Sequence, residues 1–332
     1  MAEYISTFTT GFSEIIPKIL KNELPEAKIV SLLDGLVYYR YSNNESKINQ
    51  VFVFNNNYRV IRSYNGEKLN LKRMAGEALR IKKLPRFNES FRVRYSANNQ
   101  FVAMDKNLTR QIESKISKET HGKIERLNPQ TEYWFLLRRE NIGFFCRLLR
   151  KREKTEKNLH KGELRPELAY LICNTVPVKS KHVIMDPFAG YGAIPNQIIK
   201  HLSFQKLYVS DIDKSKIENM KKGKWNFKDT IDIACRDALN MVDIRDNSID
   251  IIITDPPWGI FDNIGDINFF YHKMMDEFCR VLKADGKLVI LSARKRELED
   301  VINEKGLYIY KKLDTLVNGK KASVYVMTVC KL

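Results

Sequence analysis

Residues 249–259 read IDIIITDPPWG, a run of β-branched side chains that ends on an acid, two prolines, a tryptophan and a glycine. Ile249, Ile251, Ile252 and Ile253, with Thr254 behind them, predict a strand buried on both faces, as in a parallel α/β sheet. Pro256 and Pro257 forbid its continuation, because neither carries an N–H and each restricts the residue before it. A stiff loop then holds the Asp255 side chain, backbone carbonyls and the Trp258 ring at the carboxyl edge of a strand, where open α/β sheets bind ligands. An ordinary strand-ending turn leaves the same local signature, so the neighbouring segments decide between the two.

Outward from this strand, the carboxyl-terminal half alternates strands and helices. HVIMD (182–186), KLYVSD (206–211), DIACRD (232–237) and GKLVILS (286–292) read as further strands, and residues 307–330 as a closing antiparallel hairpin. The pattern predicts an α/β fold, a doubly wound sheet with an antiparallel edge. The amino-terminal half is mixed. Strands are expected at 3–11, 35–41, 50–55 (QVFVFN) and 90–97, helices at 12–24, 71–82 and 106–120, and a hairpin at 131–149. Residues 150–158 are charged and almost free of hydrophobes, and a helix resumes near Pro166. A domain boundary is expected there.

The 332 residues suffice for two domains, and 43% hydrophobic with 29% charged residues describe a soluble globular protein. No apolar run approaches the ~20 residues a membrane span needs, and the first residues show no basic stretch leading into an apolar one. Cysteines 146, 173, 235, 279 and 330 are scattered without CxxC spacing, so neither a zinc site nor a disulfide framework is expected. They read as reduced thiols of a cytoplasmic protein without a metal. The net charge of +17 is uneven. Residues 1–165 hold 32 basic against 18 acidic side chains, net +14, and residues 166–332 hold 25 against 22, net +3. A generally lysine-rich composition would raise both halves alike; the asymmetry suits a polyanion-binding module joined to something with another task.

VIMDPFAGYGAIPNQII (183–199) is the glycine-bearing loop after the first strand of the second half. Gly190 and Gly192 allow close approach of backbone to a ligand. A dinucleotide fingerprint needs another glycine where Pro195 stands, which disfavours NAD. Asp186, Pro187 and Phe188 supply an acid, a rigid turn and an aromatic wall. Asp211 ends the second strand, where an acid can accept both ribose hydroxyls. Asp237, with Ala238, follows the third, where a carboxylate can accept from an adenine amino group. Each acid alone is more often a helix cap than a ligand. Three of them around a glycine loop point to a nucleoside without a phosphate signature, and S-adenosylmethionine fits.

DPFAGYG and TDPPWG resemble motifs I and IV of Rossmann-like methyltransferases that modify exocyclic amino groups. The stretch from FRVRYSANN through HGKIERLNPQTEYWFLLRRENIGFFCRLL resembles a THUMP domain behind a ferredoxin-like subdomain. Together they are similar to the THUMP-bearing RNA guanine-N2 methyltransferases. The resemblance implies a ferredoxin-like subdomain at 1–65, THUMP at 66–149, a basic linker at 150–165 and the methyltransferase domain at 166–332. HKGELRPELAYLIC (160–173) and the Asp of TDPPWG resemble the enzymes acting at position 10 of tRNA, with position 6 the alternative. Trp258 stands where Tyr is commoner. The implied chemistry assigns Asp255 and the Pro256 carbonyl to the two N–H bonds of a guanine amine, and Trp258 to stacking on the extruded base.

Between Arg59 and Arg94 stand 11 basic and three acidic residues, with Tyr64, Phe87 and Phe91 interleaved. This stretch reads either as a solvated face or as contacts to tRNA phosphates. Arg92 and Arg94, with Lys151 and Arg152 of the linker, are the RNA-contact candidates. The chain is expected to act as a monomer on tRNA, away from membranes. An rRNA enzyme, a DNA amino-methyltransferase or a catalytically dead RNA-binding protein are the competing readings.

Overall fold

The computed structural model describes residues 1–86, 88–151, 159–223, 229–259 and 265–328. The chain divides into two units, residues 1–8 with 16–153 and residues 9–15 with 154–332. The expected contact residue Arg152 and the linker stretch 152–158 lie outside the described residues, as does Phe87.

In the first unit the strands are β1 (Ala2–Thr7), β2 (Lys28–Leu33), β3 (Leu36–Tyr41), β4 (Asn56–Asn65), β5 (Phe91–Ala97), β6 (Gln100–Phe101), β7 (Thr131–Leu137) and β8 (Ile142–Lys151). They form a single sheet in the order β2-β3-β1-β4-β8-β7-β5-β6. Antiparallel pairing of β4 with β8 runs from Asn56↔Lys151 to Asn65↔Ile142, so residues before and after 65 share one sheet. Parallel pairing of β5 with β7 requires a crossover, which α3 (Lys106–Thr120) supplies. Asp105 caps α3 through Leu108 N–H at 2.8 Å, and Asn70 caps α2 (Leu71–Ala78) through Arg73 N–H at 2.9 Å. Met74, Ile112 and Ile116 of these helices pack on Phe91, Tyr133, Phe135 and Phe145 of the sheet.

Two expectations fail here. QVFVFN is not a strand. Residues Glu45–Gln50 form a 3₁₀ turn capped by Asn44, and Phe54 N–H returns to the Val51 carbonyl. Val51, Val53 and Phe54 are all buried, a pattern a half-exposed strand would not give. β2 was not expected, because an edge strand with its first three residues exposed carries no apolar alternation.

The second unit holds β9 (Val183–Asp186), β10 (Lys206–Asp211), β11 (Ile231–Cys235), β12 (Ile249–Thr254), β13 (Leu282–Ser292), β14 (Tyr308–Val317) and β15 (Lys320–Thr328). Their order is β11-β10-β9-β12-β13-β15-β14. The first five are parallel, and β15 joins β13 antiparallel, giving the doubly wound sheet with an antiparallel edge. Its helices are α4 (Pro166–Cys173), α5 (Ala193–His201), α6 (Lys214–Lys222), α7 (Ile267–Val281) and α8 (Lys295–Glu304). Ile252 packs with Tyr271, Met274 and Phe278 of α7 and with Leu298 of α8. Ile251 and Ile253 lie outside that cluster yet are fully buried, so β12 is covered on both faces as its isoleucines predict. Asn318 and Gly319, both at positive φ (49° and 81°), make the two-residue turn of the closing hairpin.

Residues 9–15 lie along β14. Thr315 Oγ1 donates to the Thr10 carbonyl at 2.8 Å, and Lys311 pairs with Glu14 at 2.8 Å. Gly11 has φ +90°, and a Cβ added there would fall 2.0 Å from the Asp314 carbonyl oxygen.

Candidate active site at the carboxyl edge of the sheet

Parallel strands in the order β11-β10-β9-β12 bring Asp237, Asp211, Asp186 and Asp255 to one edge. The four acids found by reading strand ends therefore share a site edge.

Asp186 is buried. Its Oδ1 accepts from Thr254 Oγ1 at 2.7 Å and from Phe188 N–H at 3.2 Å, which joins the ends of adjacent strands β9 and β12. Burial pushes its carboxyl up to about 7, against the two hydrogen bonds and with some help from Asp211. Asp255 follows Thr254 directly. Burial drives its pKa well above the ordinary carboxylate value, the Asp186 charge adds to this, and the Trp258 indole opposes it. Among the described residues Asp255 Oδ1 is buried with no hydrogen-bond partner. A buried acceptor left unpaired costs about 1–3 kcal/mol. The loop that carries it is held by two prolines, and its exit is anchored: Trp258 Nε1 points to the Leu291 carbonyl at 3.4 Å, and Arg294 Nε donates to the Trp258 carbonyl at 2.8 Å.

The glycine loop is held from β10. Gly190 N–H donates to Asp211 Oδ2 at 2.8 Å, and Ala189 N–H to the Ser210 carbonyl at 2.9 Å. Asp211 Oδ1 accepts from Asp213 N–H at 2.9 Å. Each Asp211 oxygen has spent one acceptor position on backbone and keeps another. Gly190 and Gly192 both adopt positive φ (57° and 88°), as the loop reading requires. A Cβ at Gly190 would meet no described heavy atom within 4 Å, so the loop borders open space. Asp237 is exposed, with Oδ1 accepting from Leu239 N–H at 2.9 Å, and Ala238 beside it is buried. Phe188 packs with Phe270, ring centroids 5.8 Å apart.

Three features escaped the sequence. Ile212, next to Asp211, is 69% exposed, an apolar face beside an acid. Tyr191, between the two glycines, stacks on His160 at 3.8 Å, tying the segment before α4 to the glycine loop. Arg294 grips the Trp258 carbonyl from beyond β13. None has a sequence signal, because each depends on a partner 30 or so residues away or on exposure.

The RNA-contact candidates divide differently. Arg92 is spent on Glu132 and on the Arg126 and Leu127 carbonyls. Its guanidinium is a structural clamp, which leaves little of it for phosphate. Arg94 lies over the Phe101 ring at 5.3 Å. Lys151 is exposed and lines, with Arg92, a cavity of about 350 Å³. Tyr64 and Phe91 are buried in the core and present no stacking face. Arg80, Lys82, Lys83 and Arg86, in the same basic stretch, are exposed and form no ion pair among the described residues. Among the described residues there is also no His, Cys, Asp and Glu cluster of metal-binding geometry, and no helix long and apolar enough to cross a membrane.

Residues 152–321 match the UPF0020 family, described as RMKL-like, methyltransferase domain. The chain is 29% identical over 222 residues to the tRNA (guanine(10)-N2)-dimethyltransferase of Methanocaldococcus jannaschii, and 27% identical over 210 residues to the protein of the same name from Methanothermobacter thermautotrophicus. These matches take in 60% of this chain and span about 60% of each relative's length (60% and 61%). In fold it is similar to the crystal structure of TrmN from Thermus thermophilus, with 16% identity, 99% of both chains covered and a TM-score of 0.79.

Proposed function

Because the chain belongs to the RMKL-like methyltransferase domain family, we propose that it methylates the exocyclic N2 amine of a guanosine in tRNA, using S-adenosylmethionine. Position 10 is the favoured target, supported by the two archaeal relatives named for it. The observation that carries the reading is the buried Asp255 Oδ1, unpaired among the described residues, on a proline-stiffened loop at the sheet edge. An acceptor kept waiting without a partner is preorganised for a donor that arrives with the substrate.

The residues at this edge fit a nucleoside cofactor. Asp211 retains acceptor capacity for ribose hydroxyls, Asp237 faces solvent for an adenine amino group, and Ile212 offers the ring an apolar face. Gly190 leaves open the space a side chain would fill. When bound, S-adenosylmethionine supplies an electrophilic methyl group on a cationic sulfonium.

The chain's own groups handle the amine. A guanine N2 lone pair is delocalised into the ring, and Asp255 with the Pro256 carbonyl accept its two N–H bonds and favour the pyramidal, nucleophilic geometry. Trp258 stacks on the flipped base, worth ~1–3 kcal/mol. The elevated pKa of Asp255 makes it a competent acceptor for the proton that the methylated nitrogen releases. The basic first unit contributes phosphate contacts that position the tRNA without reading its sequence, and the setting for this work is the cytoplasm.

The test is methyl transfer from labelled S-adenosylmethionine to unmodified tRNA transcripts, with nucleosides identified by mass spectrometry. N2-methylguanosine or N2,N2-dimethylguanosine should form, and a transcript with guanosine 10 replaced should lose the label. Labelling of duplex DNA or rRNA with tRNA left blank would overturn the assignment.

A further inference from the structure

Arg294 stands between β13 and α8 with both of its ends fixed. Its backbone N–H donates to Ser292 Oγ at 2.9 Å, and Ser292 Oγ meets the Tyr271 hydroxyl at 3.1 Å. One terminal nitrogen lies 3.4 Å from Glu297 in the first turn of α8. Between these anchors Nε donates to the Trp258 carbonyl at 2.8 Å. Among the described residues, the loop it grips offers few other handles. Pro256 and Pro257 have no N–H, Asp255 Oδ1 has no partner among the described residues, and the indole contact to Leu291 is long at 3.4 Å. A residue outside the loop therefore fixes its backbone at Trp258, three residues after Asp255.

We propose that Arg294 is a positioning residue for methyl transfer, holding the Asp255–Trp258 loop in its productive geometry through the Trp258 carbonyl. The proposal rests on the roles given above to Asp255 and Trp258. Arg294 acts through one directed hydrogen bond, and its charge serves only to hold it against Glu297. Misplacing a reacting group by about 1 Å costs on the order of 100-fold in rate, so loss of this anchor is felt in turnover more than in binding.

The chemistry of the side chain gives a sharp test. Glutamine carries an amide nitrogen on Cδ, where arginine carries Nε; methionine has no donor there, and lysine keeps the charge but moves its donor one atom further out. In single-turnover assays at saturating cofactor and tRNA, Arg294→Met and Arg294→Lys should slow transfer about 10- to 100-fold. Arg294→Gln should stay within a few-fold of the parent. Affinity for S-adenosylmethionine and the thermal midpoint should change little in all three. With 5-fluorotryptophan incorporated, the fluorine resonance of Trp258 should shift or broaden in Arg294→Met and hold in Arg294→Gln, while that of Trp134 stays put. A parent rate in Arg294→Met, or equal damage in Arg294→Gln, would overturn the proposal. If the parent protein binds cofactor but methylates no tRNA, the functional reading fails instead, and the fluorine pattern still decides whether Arg294 holds the loop.

Discussion

At the scale of single residues, the proposed chemistry turns on buried Asp186 at the end of β9 and half-buried Asp255 just after β12. Asp255→Ala should lower single-turnover methyl transfer by roughly 10²–10³-fold, about 3–4 kcal/mol, with cofactor and tRNA affinities near those of the parent. Asp255→Asn, which keeps an acceptor oxygen, should lose less; equal rates for parent and alanine variant would reduce the loop to a strand terminator. The Asp186 carboxyl, pushed up to about 7 by burial, makes a second prediction. A folded-state pKa above the unfolded value near 4 means the group favours folding below about pH 4, and that contribution disappears as pH rises through about 7. Asp186→Asn, which keeps acceptors for Thr254 and Phe188, should raise the thermal midpoint of the ligand-free protein near pH 8, and the gain should vanish near pH 4. The same variant removes a charge that raises the Asp255 pKa, so the alkaline-rising limb of the rate profile should move to lower pH. The four acids were legible in the sequence because each follows a strand run. Burial depth and the lack of a partner for Asp255 Oδ1 among the described residues were not, since both depend on what packs over the strand end.

At the scale of elements, most strands and helices follow from local pattern, and the exceptions have local causes. β12 could be read because four isoleucines and two prolines leave no other option. The turn at residues 45–54 could not, because Ile48, Val51, Val53 and Phe54 are all buried and its backbone closes on itself. The segment at 9–15 is a further case: nothing in TTGFSEI announces that it lies along β14, more than 300 positions away in the chain. Its close fit is testable at Gly11. Gly11→Ala combines a positive φ with a Cβ 2.0 Å from the Asp314 carbonyl, and should destabilise the second unit by about 2–4 kcal/mol. Thermal unfolding should show the midpoint falling by several degrees. An unchanged midpoint would mean that the segment can lift away from β14 at little cost.

At the scale of the whole molecule, the charge asymmetry was legible from composition, but which basic side chains stand exposed without ion pairs among the described residues was not. Arg92 proved to be a clamp, whereas Arg80, Lys82 and Lys83 are exposed without ion pairs among the described residues. Replacing these three by alanine should weaken tRNA binding and reduce the slope of log affinity against log salt by about two to three, with cofactor affinity unchanged. Filter-binding titrations across salt concentrations would show it; a slope equal to the parent's would place the phosphate contacts elsewhere. The membership of residues 9–15 in the second unit also sets an order of events during synthesis. Thr10 leaves the ribosome 305 residues before the Thr315 hydroxyl that bonds its carbonyl. At about 5–20 residues per second, that interval lasts roughly 15–60 s. Throughout it the strap at 9–15 has no seat, so the methyltransferase unit is completed only when β14 arrives and takes hold of a segment made 305 residues earlier.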